Sequence, residues 1–313
     1  MSFTKMQALG NDFILIDGRK AVINKLSRRA KPLCDRRFGI GADQLLLLID
    51  SQKADYRMRI FNADGSEVEM CGNGIRCLAK YIWDKEIGNE KLEIKNKEKR
   101  FNKRRRLSSN SLAIETLTGI IYLQKLGSLI KVDMGEPNFE PEKIPVRVKS
   151  SKLKVQILNS ELKNQNSKLN SSLVKNFPIS FDRKIFKITC VSMGHPHAVI
   201  VVKDVESDAL SLYGPLIENH RLFPKKTNVE FIQILNRKKI KMRVWERGVG
   251  ETMACGTGAS AAGVASALLG LTDRKVTVNL RGGRLIIDWS EKDNRVYMTG
   301  PAVTVFEGTI DIK

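Results

Sequence analysis

The sequence predicts an α/β (α+β) protein of two pseudo-symmetric domains, each with strands wrapped around a central helix. Three observations predict this: an internal repeat, apolar segments of strand length, and a helical pattern that begins after one cysteine in each half.

The repeat is the most informative. Shifting the 313-residue chain by 184 positions lays MRIFNADGSEVEMCGNG (58–74) on MRVWERGVGETMACGTG (242–258) without a gap. Six of the seventeen positions are identical: Met58/Met242, Arg59/Arg243, Glu67/Glu251, Cys71/Cys255, Gly72/Gly256 and Gly74/Gly258. Chance at typical residue frequencies gives about one. The same shift puts Gln44 on Asn228, each followed by an apolar run, and Gly10-Asn11 on Gly194-His195. Two such halves, packed about an approximate two-fold axis, would bring equivalent residues to face each other across a cleft, where ligand sites tend to form.

FILID, LLLLI, YRMRIF, AVIVV, EFIQIL and KMRVW read as strands, and NADG and ERGVG read as turns. After Cys71, GIRCLAKYIWDK places Ile75, Leu78, Ala79 and Ile82 on one helical face. After Cys255, GASAAGVASALLG is nearly all small or apolar and predicts a helix buried all round.

With 42% hydrophobic residues the chain can bury real cores. The start MSFTKMQALGNDF lacks the features of a signal peptide, and no apolar stretch reaches the roughly 18 residues of a membrane helix. A cytoplasmic protein without membrane contact is expected. Five irregularly spaced cysteines are not a disulfide framework, and Cys71 and Cys77 have no matching second pair for zinc. The net charge of +20 raises nucleic-acid binding, but residues 95–106 carry +7 of it and residues 149–176 carry +5. Both segments, near 95–110 and 149–176, read as basic inserts. Solvated loops are the plain reading, and binding of RNA or an acidic partner is the alternative.

Each Cys-Gly-x-Gly stands just before a helix, where unpaired N–H groups and the positive dipole end gather. There a thiol pKa is expected to fall from about 8.5. The N–H groups around Gly72-Asn73 and Gly256-Thr257 can hold a carboxylate. Two opposed thiols suit inversion at the α-carbon of an amino acid: one takes the proton as thiolate, and the other delivers one to the opposite face. His197 and Glu246 are candidate partner bases for them. A core histidine is the alternative for His197.

KMQALGNDFILID (5–17), GIGADQLL (39–46), RIFNADGSEVEMCGNGIRC (59–77), VSMGHPHAV (191–199), NVEFIQ (228–233), RVWERGVGETMACGTGA (243–259) and YMTGPAVTVFEG (297–308) together resemble the diaminopimelate epimerase family. The resemblance spans both ends of the chain, all but the inserts and connecting segments. It implies interconversion of LL- and meso-2,6-diaminoheptanedioate in lysine and peptidoglycan precursor synthesis, without metal or pyridoxal phosphate, by a homodimer. It implies Cys71 and Cys255 as acid and base, with His197 and Glu246 as their proton partners. Substrate contacts would come from Asn11, Gln44, Asn62, Gly72, Asn73, His195, Asn228, Glu246, Arg247, Gly256 and Thr257. Arg247 suits a distal carboxylate. Residues 1–133 would form the N-terminal half, with a C-terminal strand (301–313) returning to it, and residues 134–300 the C-terminal half.

One departure bears on substrate: the family often has Asn where His195 stands, and imidazole is bulkier and can carry charge. Another racemase of the same two-thiol fold, acting on a basic or cyclic amino acid, is the alternative enzyme. A nucleic-acid-binding protein led by the inserts is the alternative of a different class, and its binding would be salt-dependent and survive loss of both cysteines.

Overall fold

The computed structural model describes residues 1–19, 26–93, 110–147, 173–181, 184–207 and 209–311, without the side chains of 86–93. The first basic insert lies outside these residues, except for Asn110 at its edge. So does most of the second, 149–172. Its end, 173–176, is not a solvated loop: Val174 is buried in a core cluster and its carbonyl accepts the Cys190 N–H. The fold is mixed α/β, rich in strands with few helices, and divides into Met1–Asp133 with Thr299–Lys313, and Met134–Met298.

In the first unit β1 (Ser2–Ala8) and β2 (Asn11–Asp17) form an antiparallel hairpin whose turn needs the positive φ of Gly10. After α1 (Leu26–Cys34), β3 (Gln44–Asp50) runs parallel to β2, and β4 (Tyr56–Asn62) returns antiparallel to β3. The short β5 (Glu67–Val68) folds back on β4 and leads into α2 (Gly72–Glu93). Next come β6 (Ser111–Thr116), parallel to β4, then β7 (Gly119–Leu126) and β8 (Leu129–Asp133), each antiparallel to its predecessor.

The second unit opens with the hairpin of β9 (Phe177–Phe181) and β10 (Lys184–Ser192), then repeats this order. β11 (Pro196–Val201) is antiparallel to β10; α3 (Ala209–Glu218) leads to β12 (Asn228–Asn236), parallel to β11; β13 (Lys239–Glu246) and β14 (Gly250–Thr252) follow. After α4 (Gly256–Leu268), β15 (Lys275–Leu280) lies parallel to β13 and antiparallel to β16 (Gly283–Trp289). β17 (Val296–Gly300) follows a turn closed by the Ser290 N–H on the Arg295 carbonyl, and β18 (Val303–Thr309) pairs antiparallel with β1.

The repeat extends to residue pairing. Phe13 pairs with Gln44, and His197 pairs with Asn228, positions related by the same 184-residue shift. Beyond the central helix the offset becomes 164, with Ser111 and Lys275 opening equivalent strands. The 20 extra residues of the first half fall between Gly72 and Ser111, the interval that holds the first basic insert. The repeat's identical residues also have a local reason. Arg59 binds Glu67 through two hydrogen bonds of 2.8 Å, and Arg243 binds Glu251 through bonds of 2.7 and 2.9 Å. In each half this bidentate pair ties the turn strand to its neighbour just before the cysteine.

The continuous apolar runs become strands covered on both faces. Ile14, Ile16, Leu45 and Leu47 pack with Leu26, Ala30 and Leu33 of α1. Phe13 and Leu46, on the other face, come up against Gly74 of α2. In the second unit Ala198, Ile200, Val229 and Phe231 pack with Leu210 and Ile217 of α3, as the shift requires. Ile75, Leu78, Ala79 and Ile82, the face expected for the first helix, are all buried, and at its start the burial extends further. Residues 72–79 are all buried, Arg76 and Cys77 included, so α2 begins as fully enclosed as α4. Among the described residues no helix is long and apolar enough to cross a membrane.

Candidate active site

Glycine directly after each cysteine lets a helix start with bare backbone. Cys255 takes an extended conformation (φ −120°, ψ 118°) as the N-cap of α4, and its side chain makes no cap hydrogen bond. The thiol is therefore held by the helix start and does not close it. Cys255 Sγ lies 3.4 Å from Thr257 Oγ1. In the first unit the Gly74 N–H donates to Cys71 Sγ at 3.4 Å. The two thiols thus hold the same place at the first turn of equivalent helices.

Around Cys71 the groups are amides. The thiol faces Asn11 Oδ1 at 3.7 Å, and Asn73 Nδ2 donates to the same oxygen at 3.3 Å. Asn11 is held in turn by Asp43, which accepts its Nδ2–H at 2.8 Å, while Arg36 bridges Asp43 and Asp12. Gln44 Nε2 donates to Asn62 Oδ1 at 2.9 Å, leaving Gln44 Oε1 buried and unpaired. Beneath the helix start lies Arg76, fully buried, donating to the carbonyls of Gly72 and Pro301 and to Asn73 Oδ1. Burial lowers its pKa to about 10, and Cys77 and Cys71 act on it in the opposite sense.

Around Cys255 the groups are carboxylates. Burial first and then Glu246 push its thiol well above its ordinary value; Thr257 opposes them, and Glu230 adds a smaller push in the same direction as burial. The lowered pKa expected from the helix start does not hold here, because Cys255 is 7% exposed and desolvation outweighs the helix end. Glu246 Oε1 accepts the Thr252 hydroxyl at 2.5 Å. Asn228 is buried between the Pro196 carbonyl, to which it donates, and the Arg247 N–H, which it accepts at 2.8 Å. It therefore anchors the turn bearing Arg247, whose guanidinium donates to the Lys225 carbonyl at 3.2 Å. His195 is half-buried in the bend before β11. His197 is fully buried, its Nδ1 2.6 Å from Glu230 Oε1.

Asn11, Gln44, Asn62, Gly72, Asn73 and Cys71 thus gather at one edge of the first unit. In the second unit Cys255, Gly256 and Thr257 open α4, Glu246 acts electrostatically on Cys255, and His197 joins Glu230. Sequence reasoning missed Arg76, Asp43 and Glu230. Glu230 carried a signal: it is an acid inside the apolar run NVEFIQIL, at the position the 184-residue shift pairs with Leu46. All five cysteines are free thiols, and among the described residues no group of three or more His, Cys, Asp or Glu could hold a metal ion.

Known proteins share this chain's sequence and fold. The family model described as Diaminopimelate epimerase matches residues 3–140 and 189–305. A diaminopimelate epimerase of Acetivibrio thermocellus is 46% identical over 317 aligned positions, covering 100% of this chain and 99% of the relative. One of Methanococcus maripaludis is 45% identical and covers 100% of both. Two solved structures share the fold at low identity. A hydroxyproline epimerase from Agrobacterium vitis has a TM-score of 0.59 at 13% identity, covering 99% of this chain and 90% of that one. A PhzF-family phenazine biosynthesis protein of Bacillus anthracis has 0.58 at 17%, covering 100% and 99%. With the family model matched on both sides of the second insert and near-half identity along its full length, the chain belongs to the diaminopimelate epimerase family.

Proposed function

We propose that the chain interconverts LL- and meso-2,6-diaminoheptanedioate by two-thiol proton transfer at one α-carbon. The observation that carries this reading is the repeated thiol: Cys71 and Cys255 stand immediately before the first turns of equivalent buried helices, with the Gly74 N–H donating to Cys71 Sγ and Thr257 Oγ1 lying 3.4 Å from Cys255 Sγ. One sulfur, as thiolate, takes the α-proton; the C–H electron pair passes to the carboxylate as an enolate-like charge. The other, as thiol, gives a proton to the opposite face. Helix-start N–H groups stabilise the developing charge where it forms. Cys255, raised by burial, is suited to enter as the thiol, and the two sulfurs exchange roles with reaction direction. His197 and Glu246 serve as proton partners. Asn11, Gln44, Asn62, Asn73, His195, Asn228, Arg247 and Thr257, with the backbone of Gly72 and Gly256, orient the substrate. This reading carries a cytoplasmic homodimer acting in lysine precursor synthesis, without metal or pyridoxal phosphate.

The test is incubation with LL-diaminopimelate in deuterated water, following inversion and α-deuterium uptake. Inversion with one solvent deuteron is expected, and absence of both would sink the assignment. Air oxidation is expected to inactivate the protein reversibly, because the proposed reaction needs both thiols reduced. Mass mapping should find a Cys71–Cys255 disulfide; two free thiols in the inactive protein would count against the mechanism.

Substrate choice has its own test. His195→Asn should preserve or improve turnover on LL-diaminopimelate. His195→Ala should weaken binding by about 1–3 kcal/mol through an unpaired polar group, and Arg247→Ala should weaken it further. If the wild type prefers a single-centre amino acid and His195→Asn turns it toward diaminopimelate, the substrate is wrong and the two-thiol chemistry stands.

A further inference from the structure

The two units fill one equivalent place in opposite ways. Under the first turn of α2, a Cβ on Gly74 would meet Leu46 at 3.1 Å and Phe13 at 3.3 Å. Under the first turn of α4, a Cβ on Gly258 would meet Glu230 Oε1 at 2.8 Å. The 184-residue shift carries Phe13 onto His197 and Leu46 onto Glu230, and all four side chains are fully buried. The fold therefore closes this place with two apolar side chains in one half. Nothing in the packing of strands and helix requires an ionisable pair in the other. Such pairs are often no better for stability than well-packed apolar residues, so the His197–Glu230 pair asks for a reason in chemistry.

The pair also ends in unused polar atoms. His197 Nδ1 and Glu230 Oε1 stand 2.6 Å apart, while His197 Nε2 and Glu230 Oε2 are buried with no hydrogen-bond partner. Buried polar atoms are rarely left so unless they serve binding or catalysis. The groups acting on Glu230 are His197 on β11, Glu246 at the end of β13, Cys190 on β10 and Cys255 at the head of α4. Apart from His197, none of these can offer it a positive charge.

We propose that Glu230 is a positioning residue for proton transfer: it binds His197 at Nδ1, presents Nε2 as the proton-carrying end, and balances the imidazolium charge when Nε2 is loaded. This rests on the two-thiol reading above. In the step itself the S–H bond of a thiol breaks, its proton forms an N–H bond at Nε2, and the sulfur keeps the electron pair. The reverse step returns the proton. With Nε2 loaded, the dyad holds one proton between Nδ1 and Oε1 and no net charge. Unloaded, it is a net anion with no water to solvate it, so burial favours the loaded form. Burial raises the pKa of Glu230, its largest effect, against the attraction of His197. That is the same preference for a neutral dyad.

The test is ¹⁵N NMR of histidine-labelled protein, which has only three histidines to assign. The Nε2 proton of His197 is followed in the wild type and in Glu230→Gln as pH rises. In Glu230→Gln the ring should lose that proton at least one pH unit lower than in the wild type. The limb of the kcat/KM pH profile set by His197 should move with it, and kcat should fall about ten-fold or more with KM little changed. The double variant His197→Phe/Glu230→Leu copies the other half; it should fold with an unfolding midpoint no lower than the wild type, yet be inactive. Loss of the His197 Nε2 proton at the same pH in the wild type and in Glu230→Gln overturns the proposal. So does a double variant that retains turnover. Because the NMR titration needs no substrate, its failure is distinct from failure of wild-type protein to exchange the α-proton, which would instead sink the epimerase reading.

Discussion

Cys71→Ala and Cys255→Ala should each lower kcat for epimerisation by about 10³-fold or more, roughly 4 kcal/mol of lost transition-state stabilisation. On the two-thiol proposal, each variant removes the thiol that serves one face of the carbon. Joining the two substitutions should therefore add little, as expected for groups that act as a unit. Folding should survive. Cys71 is half-buried, and at both positions alanine removes a single sulfur while the backbone of the helix start is kept. Serine at either position should also be very poor, since a hydroxyl ionises far less readily than a thiol. Urea unfolding and kcat measured together decide the matter: more than about a tenth of wild-type turnover in either alanine variant would end the two-base assignment.

Gly39→Ala should be the most damaging single change away from the thiols. A Cβ there would run into the Pro32 carbonyl oxygen, and it would stand 2.8 and 3.0 Å from those of Leu33 and Asp35. All three are backbone atoms at the end of α1, so no rotamer change relieves them. The same turn is closed by the N–H groups of Gly39, Ile40, Gly41 and Ala42 on the carbonyls of Asp35, Leu33 and Cys34. Overpacking of this kind should destabilise by about 3 kcal/mol. It should reach the substrate side too, because the turn delivers Asp43, which holds Asn11 beside Cys71. Loss of both urea midpoint and substrate affinity is expected. A change below about 1 kcal/mol would show that the backbone shifts freely here.

Much of this was legible before folding. The 184-residue repeat marked the cysteines, their glycines and the Arg–Glu pairs, because each is a local device: a helix start, a bare backbone, a bidentate tie between adjacent strands. The strand segments were legible because strands covered on both faces must be apolar throughout. The burial of Arg76 was not, since its partners are the carbonyls of Gly72 and Pro301 and the Asn73 amide, and Pro301 lies 225 residues away. A charged residue in a helical pattern reads as solvent-facing until the chain's end is seen to return.

The chain's order of residues by itself determined that there are two related halves, where each central helix begins, and which two thiols stand at those beginnings. Only the tertiary structure decided the environment of each thiol: amides and a buried guanidinium beside Cys71, carboxylates and a desolvated interior beside Cys255. The reason is physical. A helix start is specified within a few residues by backbone geometry, whereas desolvation and the field of neighbouring charges depend on what packs above it from strands tens of residues away. Phe13 and Leu46 in one unit, and His197 and Glu230 in the other, occupy the same place under the same turn, and only packing brought that difference to the two sulfurs.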